Sequence, residues 1–445
     1  MERNRDYVTI KGHKVYVNQG ELLLNDREIK TISEIEGLES LEELKGLSLH
    51  HNHISKVQCL DTLVNLKSLS LNDNMIKRIK GFENLKNLEY LYLYNNKIEE
   101  MTGIENLSKL KYLSLNNNQV KNISGLENLK NLTILELSGN KIEEIKGLEN
   151  LRNLEKISFN YNQIKEIKGL ENLNQLEFLY LSHNNITQIK GIQHLKKLRE
   201  LHLSHNQIEE IKNIEDLTNL REFYLNNNRI KELKGLKTLI NLKDLRIGNN
   251  SIKKIQGLES QNLLEFLYLH YNQINEISGL ETLSELNSLL LVGNNISEIG
   301  KLDKCVKLVS LDLGENEINE IKGLNALSNL KYLILDHNKI KEIKGLENLK
   351  DLEKLDLTHN QIKEISGLEA LHNLEEIYLC GNLITSTKGL EVLESIQYIV
   401  LRKDFYNDPL IPKEELEPYE KYFYLNPDLE NEEDRLKWWR HYYDL

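Results

Sequence analysis

The chain contains little cysteine. Its 445 residues include only Cys59, Cys305 and Cys380, which are far apart in the sequence and form no C-x-x-C pair. Three separated cysteines do not provide a disulfide framework. Their scarcity therefore favours a reducing compartment.

The chain also lacks a long apolar run. The opening segment Met1–Asp6 is polar, unlike a signal peptide. No stretch approaches the roughly 20 apolar residues that a membrane helix needs. We therefore expect a cytoplasmic protein, or a nuclear one if the organism is eukaryotic, with no membrane partner. The formal net charge of −12 argues against nucleic-acid binding, since a duplex is bound by a stripe of lysine and arginine.

Sequence motifs of catalysis are absent as well. There is no glycine-rich phosphate loop after a strand, no G-x-S-x-G and no H-E-x-x-H. Cys380 falls at a strand position, but no insertion or separate domain builds a pocket around it. We therefore expect no enzymatic activity, no cofactor and no metal.

What the chain does contain is a repeat of constant length. The segment L-x-L-x-x-N recurs, for example as Leu47–Asn52 and Leu91–Asn96. Its asparagine occupies 16 positions that are each 22 residues apart, with no insertion: 52, 74, 96, 118, 140, 162, 184, 206, 228, 250, 272, 294, 316, 338, 360 and 382. Such self-similarity indicates a solenoid, in which each unit buries its apolar face against its neighbours.

Each unit carries apolar residues at fixed offsets. In the unit of Asn96 these are Leu91, Leu93, Ile98, Met101, Ile104, Leu107 and Leu110. The alternation of the L-x-L segment predicts a short strand with inward leucines, and successive strands of this kind form a parallel sheet. The later apolar residues lie three apart, which predicts a short 3₁₀ or helical turn on the opposite side.

Two further positions recur with this pattern. The asparagine follows the strand, and we expect its amide to satisfy backbone groups that the turn buries. Seven residues later stands glycine, as at Gly81 and Gly103, which suggests a positive φ or a close backbone contact. Cys59, Asn213 and Lys301 replace this glycine. Asparagine tolerates the conformation, whereas cysteine and lysine predict turns that differ locally.

The unit, with its N-x-I-x-x-I-x-G-L-x-x-L core, resembles the leucine-rich-repeat class typified by the nuclear regulatory subunit of type-1 protein phosphatase. Bacterial internalins have a similar unit. The resemblance covers roughly residues 22–401. It implies an α/β solenoid, a leucine-rich-repeat horseshoe with a parallel β-sheet on the concave face and short 3₁₀ or helical turns on the convex face.

The ends of such a solenoid need caps. Residues 1–21 predict a β-hairpin that turns near Lys11-Gly12. Residues 22–401 form the solenoid, whose 16 regular repeats are bracketed by degenerate units with Arg27 and Asp404 in the asparagine column. Residues 402–445 contain all four prolines and both tryptophans, and their first part resembles the C-terminal cap of the phosphatase-regulator class.

The outward strand positions lie six, four and two residues before each asparagine, and they are rich in aromatics. Exposed aromatics provide rigid contact area and concentrate in interfaces. The alternative is that tyrosine simply suits a strand and covers its neighbours. We predict that the following residues bind a partner: Tyr90, Tyr92, Tyr94, Tyr112, Phe178, Tyr180, His202, Tyr224, Phe266, Tyr268, His270, Asp312, Tyr332, Asp356 and Tyr378.

Acidic side chains and histidines share this region. A basic partner could dock beside the acidic C-terminal strands, or that face could simply be solvated. The acidic residues are Asp312, Glu315, Asp336, Asp356 and Glu376. His183 with His205, and His337 with His359, occupy one column in adjacent repeats. Each pair could bridge a metal, but no third ligand is evident and polar turns often hold histidine.

Together these features predict a monomeric protein-interaction scaffold that binds another protein on its concave face. By resemblance, the catalytic subunit of a type-1-like phosphatase is a candidate partner. The alternative is an internalin-type surface protein that acts in adhesion or host interaction.

Overall fold

The computed structural model describes residues 6–401, 411, 413–416 and 418–419. The chain is divided into two compact units. The first comprises Met1–Ile230 with Lys234–Leu242, and the second comprises Lys231–Leu233 with Lys243–Leu445. Most of the predicted C-terminal cap, including Asp404, lies outside the described residues. Within the described part, no helix has the length and apolar character needed to cross a bilayer.

The first unit begins with an antiparallel hairpin and continues as a parallel ladder. Strands β1 (Tyr7–Ile10) and β2 (His13–Tyr16) pair in register, and the chain turns at Lys11 and Gly12 with positive φ at both residues. The ladder then contains β3 (Glu21–Leu23), β4 (Gly46–Ser48), β5 (Ser68–Ser70), β6 (Tyr90–Tyr92), β7 (Tyr112–Ser114), β8 (Ile134–Glu136), β9 (Lys156–Ser158), β10 (Phe178–Tyr180), β11 (Glu200–His202) and β12 (Glu222–Tyr224).

The second unit has the same parallel arrangement, so both units are parallel-sheet solenoids. Its strands are β13 (Asp244–Arg246), β14 (Phe266–Tyr268), β15 (Ser288–Leu290), β16 (Ser310–Asp312), β17 (Tyr332–Ile334), β18 (Lys354–Asp356), β19 (Glu376–Tyr378) and β20 (Tyr398–Val400). Equivalent residues of neighbouring regular repeats lie opposite each other: Leu267, for example, is paired with Leu245 and Leu289.

The recurring apolar positions form the interior of each unit. In the repeat of Asn96, none of the seven predicted core residues is more than 1% exposed. Full burial of a leucine or isoleucine side chain contributes roughly 1.5–3 kcal/mol. Part of that burial is against the preceding and following repeats, so the stability of each repeat depends on its neighbours.

The asparagine column joins each repeat to the one before it. The buried Asn206 donates from Nδ2 to the Leu203 carbonyl at 3.0 Å and to the Leu181 carbonyl of the preceding repeat at 2.9 Å. Its Oδ1 accepts from the backbone amide of Ile186 at 2.9 Å. The same three contacts recur around Asn96. One amide thus satisfies backbone groups of two repeats, as the sequence predicts.

The position seven residues after the asparagine has a left-handed conformation. Gly103 has φ of 108°, and a Cβ there would lie 2.0 Å from the Ile79 carbonyl oxygen. The expectation of locally different turns at Cys59 and Lys301 is wrong for φ, which is 61° and 56° at these residues and 60° at Asn213. The stacked neighbouring repeats hold the turn in place despite a cost of roughly 1–2 kcal/mol for a left-handed residue with a side chain.

Helical turns are much rarer than the sequence predicts. Among the described residues, the helical segments are the three 3₁₀ turns Ile32–Glu34, Leu38–Ser40 and Leu390–Val392, the α-helical turn α1 (Lys413–Leu416), and residues 418–419, which are also in 3₁₀ conformation. Elsewhere the chain makes separate turns, in which the amides of Leu85 and Leu88 donate to the carbonyls of Phe82 and Leu85, both at 3.0 Å. Apolar residues three apart therefore lie in successive single turns. The hydrogen bonds of these turns do not continue into a helix.

Replacement of Asn206 by alanine should destabilise the protein by about 1–3 kcal/mol, because it leaves three carbonyls and one backbone amide without their side-chain partner. The free energy of unfolding from urea denaturation measures the effect. The matched control is Asn185→Ala in the preceding repeat, where the asparagine side chain is exposed. Equal stability of the two variants would contradict this account of the asparagine column.

Candidate interaction face

Each sheet has an outer face, formed by the residues six, four and two positions before each asparagine. The alternation of a strand directs these side chains away from the core. In β10, for example, Phe178 and Tyr180 are half-buried while Leu179 between them is fully buried. All the predicted partner-binding residues lie on an outer face defined in this way.

Four tyrosines of the first unit lie on adjacent strands or just after them, and we refer to them as the tyrosine cluster. Tyr90 is 39% exposed, whereas Tyr92, Tyr94 and Tyr112 are half-buried. The ring centroids of Tyr92 and Tyr112 are 4.9 Å apart. The Tyr112 hydroxyl donates to Glu136 Oε2 at 2.8 Å. Burial and this carboxylate raise the pKa of Tyr112, so its hydroxyl stays protonated and remains a donor.

Further along the same face, three rings follow one another on β10, β11 and β12, and we refer to them as the ring column. The centroid of His202 lies 4.6 Å from that of Tyr180 and 4.1 Å from that of Tyr224. The Tyr180 hydroxyl donates to Glu200 Oε2 at 2.6 Å, and the Tyr224 hydroxyl donates to Glu222 Oε2 at 2.8 Å. The structure thus brings three predicted aromatics together and adds two glutamates that the prediction did not include.

The second unit departs from the prediction, because several of its expected binding residues are buried. The guanidinium of Arg246 lies 5.0 Å from the Tyr268 ring centroid. The His270 ring occupies the space above Gly248, where an added Cβ would lie 2.1 Å from the imidazole. Contacts between neighbouring strands therefore remove these side chains from solvent. The buried residues are Tyr268, His270, Asp312 and Asp356, with exposures of 4%, 3%, 9% and 3%.

Three predicted residues of the second unit remain partly accessible. Phe266, Tyr332 and Tyr378 are half-buried. The hydroxyl of Tyr332 donates to Glu353 Oε2 at 3.1 Å, and that of Tyr378 donates to Glu376 Oε2 at 3.0 Å. These aromatics lie on β14, β17 and β19, which are not adjacent strands, so they do not form a group like the tyrosine cluster or the ring column of the first unit.

One of the acidic side chains of the second unit, Asp312, is buried where its charge is unfavourable. Asp312 Oδ1 accepts from the backbone amide of Gly314 at 3.0 Å. Burial, together with the neighbouring carboxylates of Asp336 and Asp356, raises the pKa of Asp312 from 3.8 to about 8. Its surroundings therefore favour the protonated, uncharged form of Asp312. This state weakens the expectation that a basic partner docks on these strands.

A second left-handed column, directly before the asparagines, was not predicted from the sequence. His183 and His205 belong to it, with φ of 57° and 54°. The ring of His183 stacks on Tyr161 at 4.0 Å and on His205 at 3.9 Å, while His337 and His359 lie 4.4 Å apart. Face-to-face rings do not direct their nitrogens at one ion, so the geometry gives no support to a metal bridge between His183 and His205. The recurrence of asparagine, aspartate, histidine and glycine at this position was the available signal, since these types tolerate positive φ.

Family models match much of the repeated region. The model described as "Leucine-rich repeat region" matches residues 70–213. The model described as "Leucine Rich repeats (2 copies)" matches residues 196–238, 218–260, 328–370 and 352–395. No curated protein matches the sequence.

Three of the solved structures with a similar fold are bacterial proteins. A leucine-rich-repeat protein of Leptospira interrogans is 29% identical, with a TM-score of 0.74 over 83% of this chain and 98% of that one. An internalin, InlF, of Listeria monocytogenes is 29% identical, with a TM-score of 0.56 over 70% of this chain and 86% of that one. The functional domain of InlJ from the same species has the same kind of fold at 22% identity. Its TM-score is 0.61 over 81% of this chain and 72% of that one.

Substitution of Asp312 by asparagine should stabilise the protein more at high pH than at low pH. Because the pKa of Asp312 is higher in the folded state, its ionisation removes stability as the pH rises from about 4 to about 8. The asparagine side chain does not ionise, so it removes this dependence of stability on pH, and its oxygen can still accept from the backbone amide of Gly314. Thermal denaturation at about pH 4.5 and about pH 8.5 measures the difference. The exposed Asp351→Asn is the control, and an equal gain in both variants would contradict the burial of the Asp312 charge.

Proposed function

We propose that this chain, which is a leucine-rich-repeat protein with internalin-like structural neighbours, is a non-catalytic scaffold that binds another protein. The binding surface is the outer face of the first unit, which corresponds to the concave face expected from the sequence. The observation that supports the proposal is the accessible aromatic area of the tyrosine cluster and ring column. A sheet face that met only solvent would have no need of these rings.

The aromatic side chains of this face are held in position before any partner arrives. Glu136 accepts from the hydroxyl of Tyr112, and Glu200 accepts from that of Tyr180. Side chains that are already ordered lose little conformational entropy on binding, and rigid aromatics are common at the energetic centres of interfaces. The carboxylate of Glu200 adds negative charge to this face, which favours a partner with basic groups around an apolar centre.

Two finer assignments follow from different observations. The repeat pattern favours a regulatory subunit of a type-1-like phosphatase, which would bind the catalytic subunit in the cytoplasm. The similarity to InlF favours a surface protein of the internalin type as the second candidate. Of the two, the internalin-type assignment has the support of a solved structure.

Replacement of Tyr92 and Tyr112 by alanine should weaken partner binding, because each interface aromatic contributes about 2 kcal/mol or more. A partner is first identified by affinity purification with the wild-type chain, and its affinity for each variant is then measured by calorimetry. The control is Tyr16→Ala, which removes an exposed tyrosine (53%) outside the parallel ladder. Unchanged affinity in the double variant, or an equal loss in the control, would refute the proposed face.

Cell fractionation separates the two finer assignments. For the phosphatase-regulator assignment, we expect the native protein in the cytoplasmic fraction and binding of purified type-1 phosphatase catalytic subunit in a calorimetric titration. For the internalin-type assignment, we expect the protein at the cell surface or in the medium. Surface exposure without phosphatase binding would rule out the first assignment.

A further inference from the structure

Two carboxylates lie side by side on the outer face of the first unit. Strands β11 and β12 place Glu200 directly opposite Glu222. Like charges at directly paired strand positions repel each other. Elsewhere on this face Glu136 forms an ion pair with Lys156 at 3.4 Å. Within the described ranges, no lysine or arginine pairs with Glu200 or Glu222, so their repulsion is not relieved by a basic side chain.

A histidine lies next to these carboxylates. His202 Nε2 is 4.0 Å from Glu200 Oε2 and 3.9 Å from Glu222 Oε2. One ligand atom from each of the three residues lies within 4.8 Å of the other two. The side chains are 23%, 22% and 38% exposed for Glu200, His202 and Glu222, so an ion can reach them from solvent while much of each side chain is shielded.

We propose that Glu200, His202 and Glu222 form a binding site for a divalent transition-metal ion, with Zn²⁺ as the best match. One imidazole and two carboxylates are typical zinc ligands, and a water molecule completes a four-coordinate site. Two glutamates and a neutral histidine balance the charge of a dication. The ion thereby removes the repulsion between Glu200 and Glu222.

The distances from His202 to the two glutamates require only a small contraction. Ligand atoms bonded to zinc at about 2.0–2.2 Å in a tetrahedron lie about 3.4 Å from each other. The measured separations of His202 Nε2 from the two glutamate oxygens exceed this value by about half an ångström. Partly exposed glutamates can make such an adjustment through small side-chain rotations, without movement of the strands.

The surrounding residues hold the ligands in position. The hydroxyls of Tyr180 and Tyr224 each donate to the carboxylate oxygen nearest His202. The imidazole of His202 is enclosed between the rings of these two tyrosines. Partners of this kind orient metal ligands and strengthen binding in protein metal sites. The ring column would then stabilise the metal site as well as provide contact area.

Isothermal titration of the full chain with Zn²⁺, and the visible absorption of bound Co²⁺, test the proposal. The decisive variant combines Glu200→Gln with Glu222→Gln, which keeps oxygens that accept from both tyrosines and removes both charges. We expect its Zn²⁺ affinity to fall by about tenfold or more. In the presence of a chelator, its thermal stability should equal or exceed that of the wild-type chain. His202→Ala should also lose the Co²⁺ absorption.

A variant with His183→Ala and His205→Ala is the matched control, since it removes two histidines from the neighbouring turn column. Its Zn²⁺ affinity should equal that of the wild-type chain. Zn²⁺ should raise the melting temperature of the wild-type chain and of this control, but not that of the double glutamine variant. Equal Zn²⁺ affinity in the wild-type and double glutamine chains, or a loss of affinity confined to the control, would overturn the proposal.

Discussion

The asparagine after each strand is the interaction on which the rest of each unit depends. Where the chain leaves the strand and turns into the interior, backbone groups become buried without a partner of their own. A single asparagine side chain, as at Asn206, accepts a hydrogen bond from one backbone amide and donates to carbonyls of its own and the preceding repeat. Because these partners lie in two repeats, the turn of one repeat is complete only when the next one is present.

The sequence was sufficient to predict the features that repeat along the chain. The constant interval between asparagines defined the strands, the parallel register and the inward apolar residues. The convex segments were harder, because an apolar spacing of three is compatible with a helix and with separate turns. In the structure, Leu85 and Leu88 close such turns one at a time.

The candidate site was predicted less well, because exposure on the outer face depends on neighbouring strands. The burial of Tyr268 and His270 follows from Arg246 and from the missing side chain of Gly248, both on the preceding strand or directly after it. Inspection of one repeat position at a time in the sequence does not show such contacts between side chains on neighbouring strands. Likewise, Glu200 and Glu222 were not singled out, since only the paired strands bring them beside His202.

The constant interval has a consequence for how the protein can change during evolution. When recombination duplicates or deletes one whole repeat, the strands on either side of the change still pair in the same register. Each asparagine then has equivalent hydrogen-bond partners. An insertion of any other length would have to be looped out of the ladder. The contact surface can therefore grow or shrink by one strand at a time, while the three outward residues of each strand vary independently of the core.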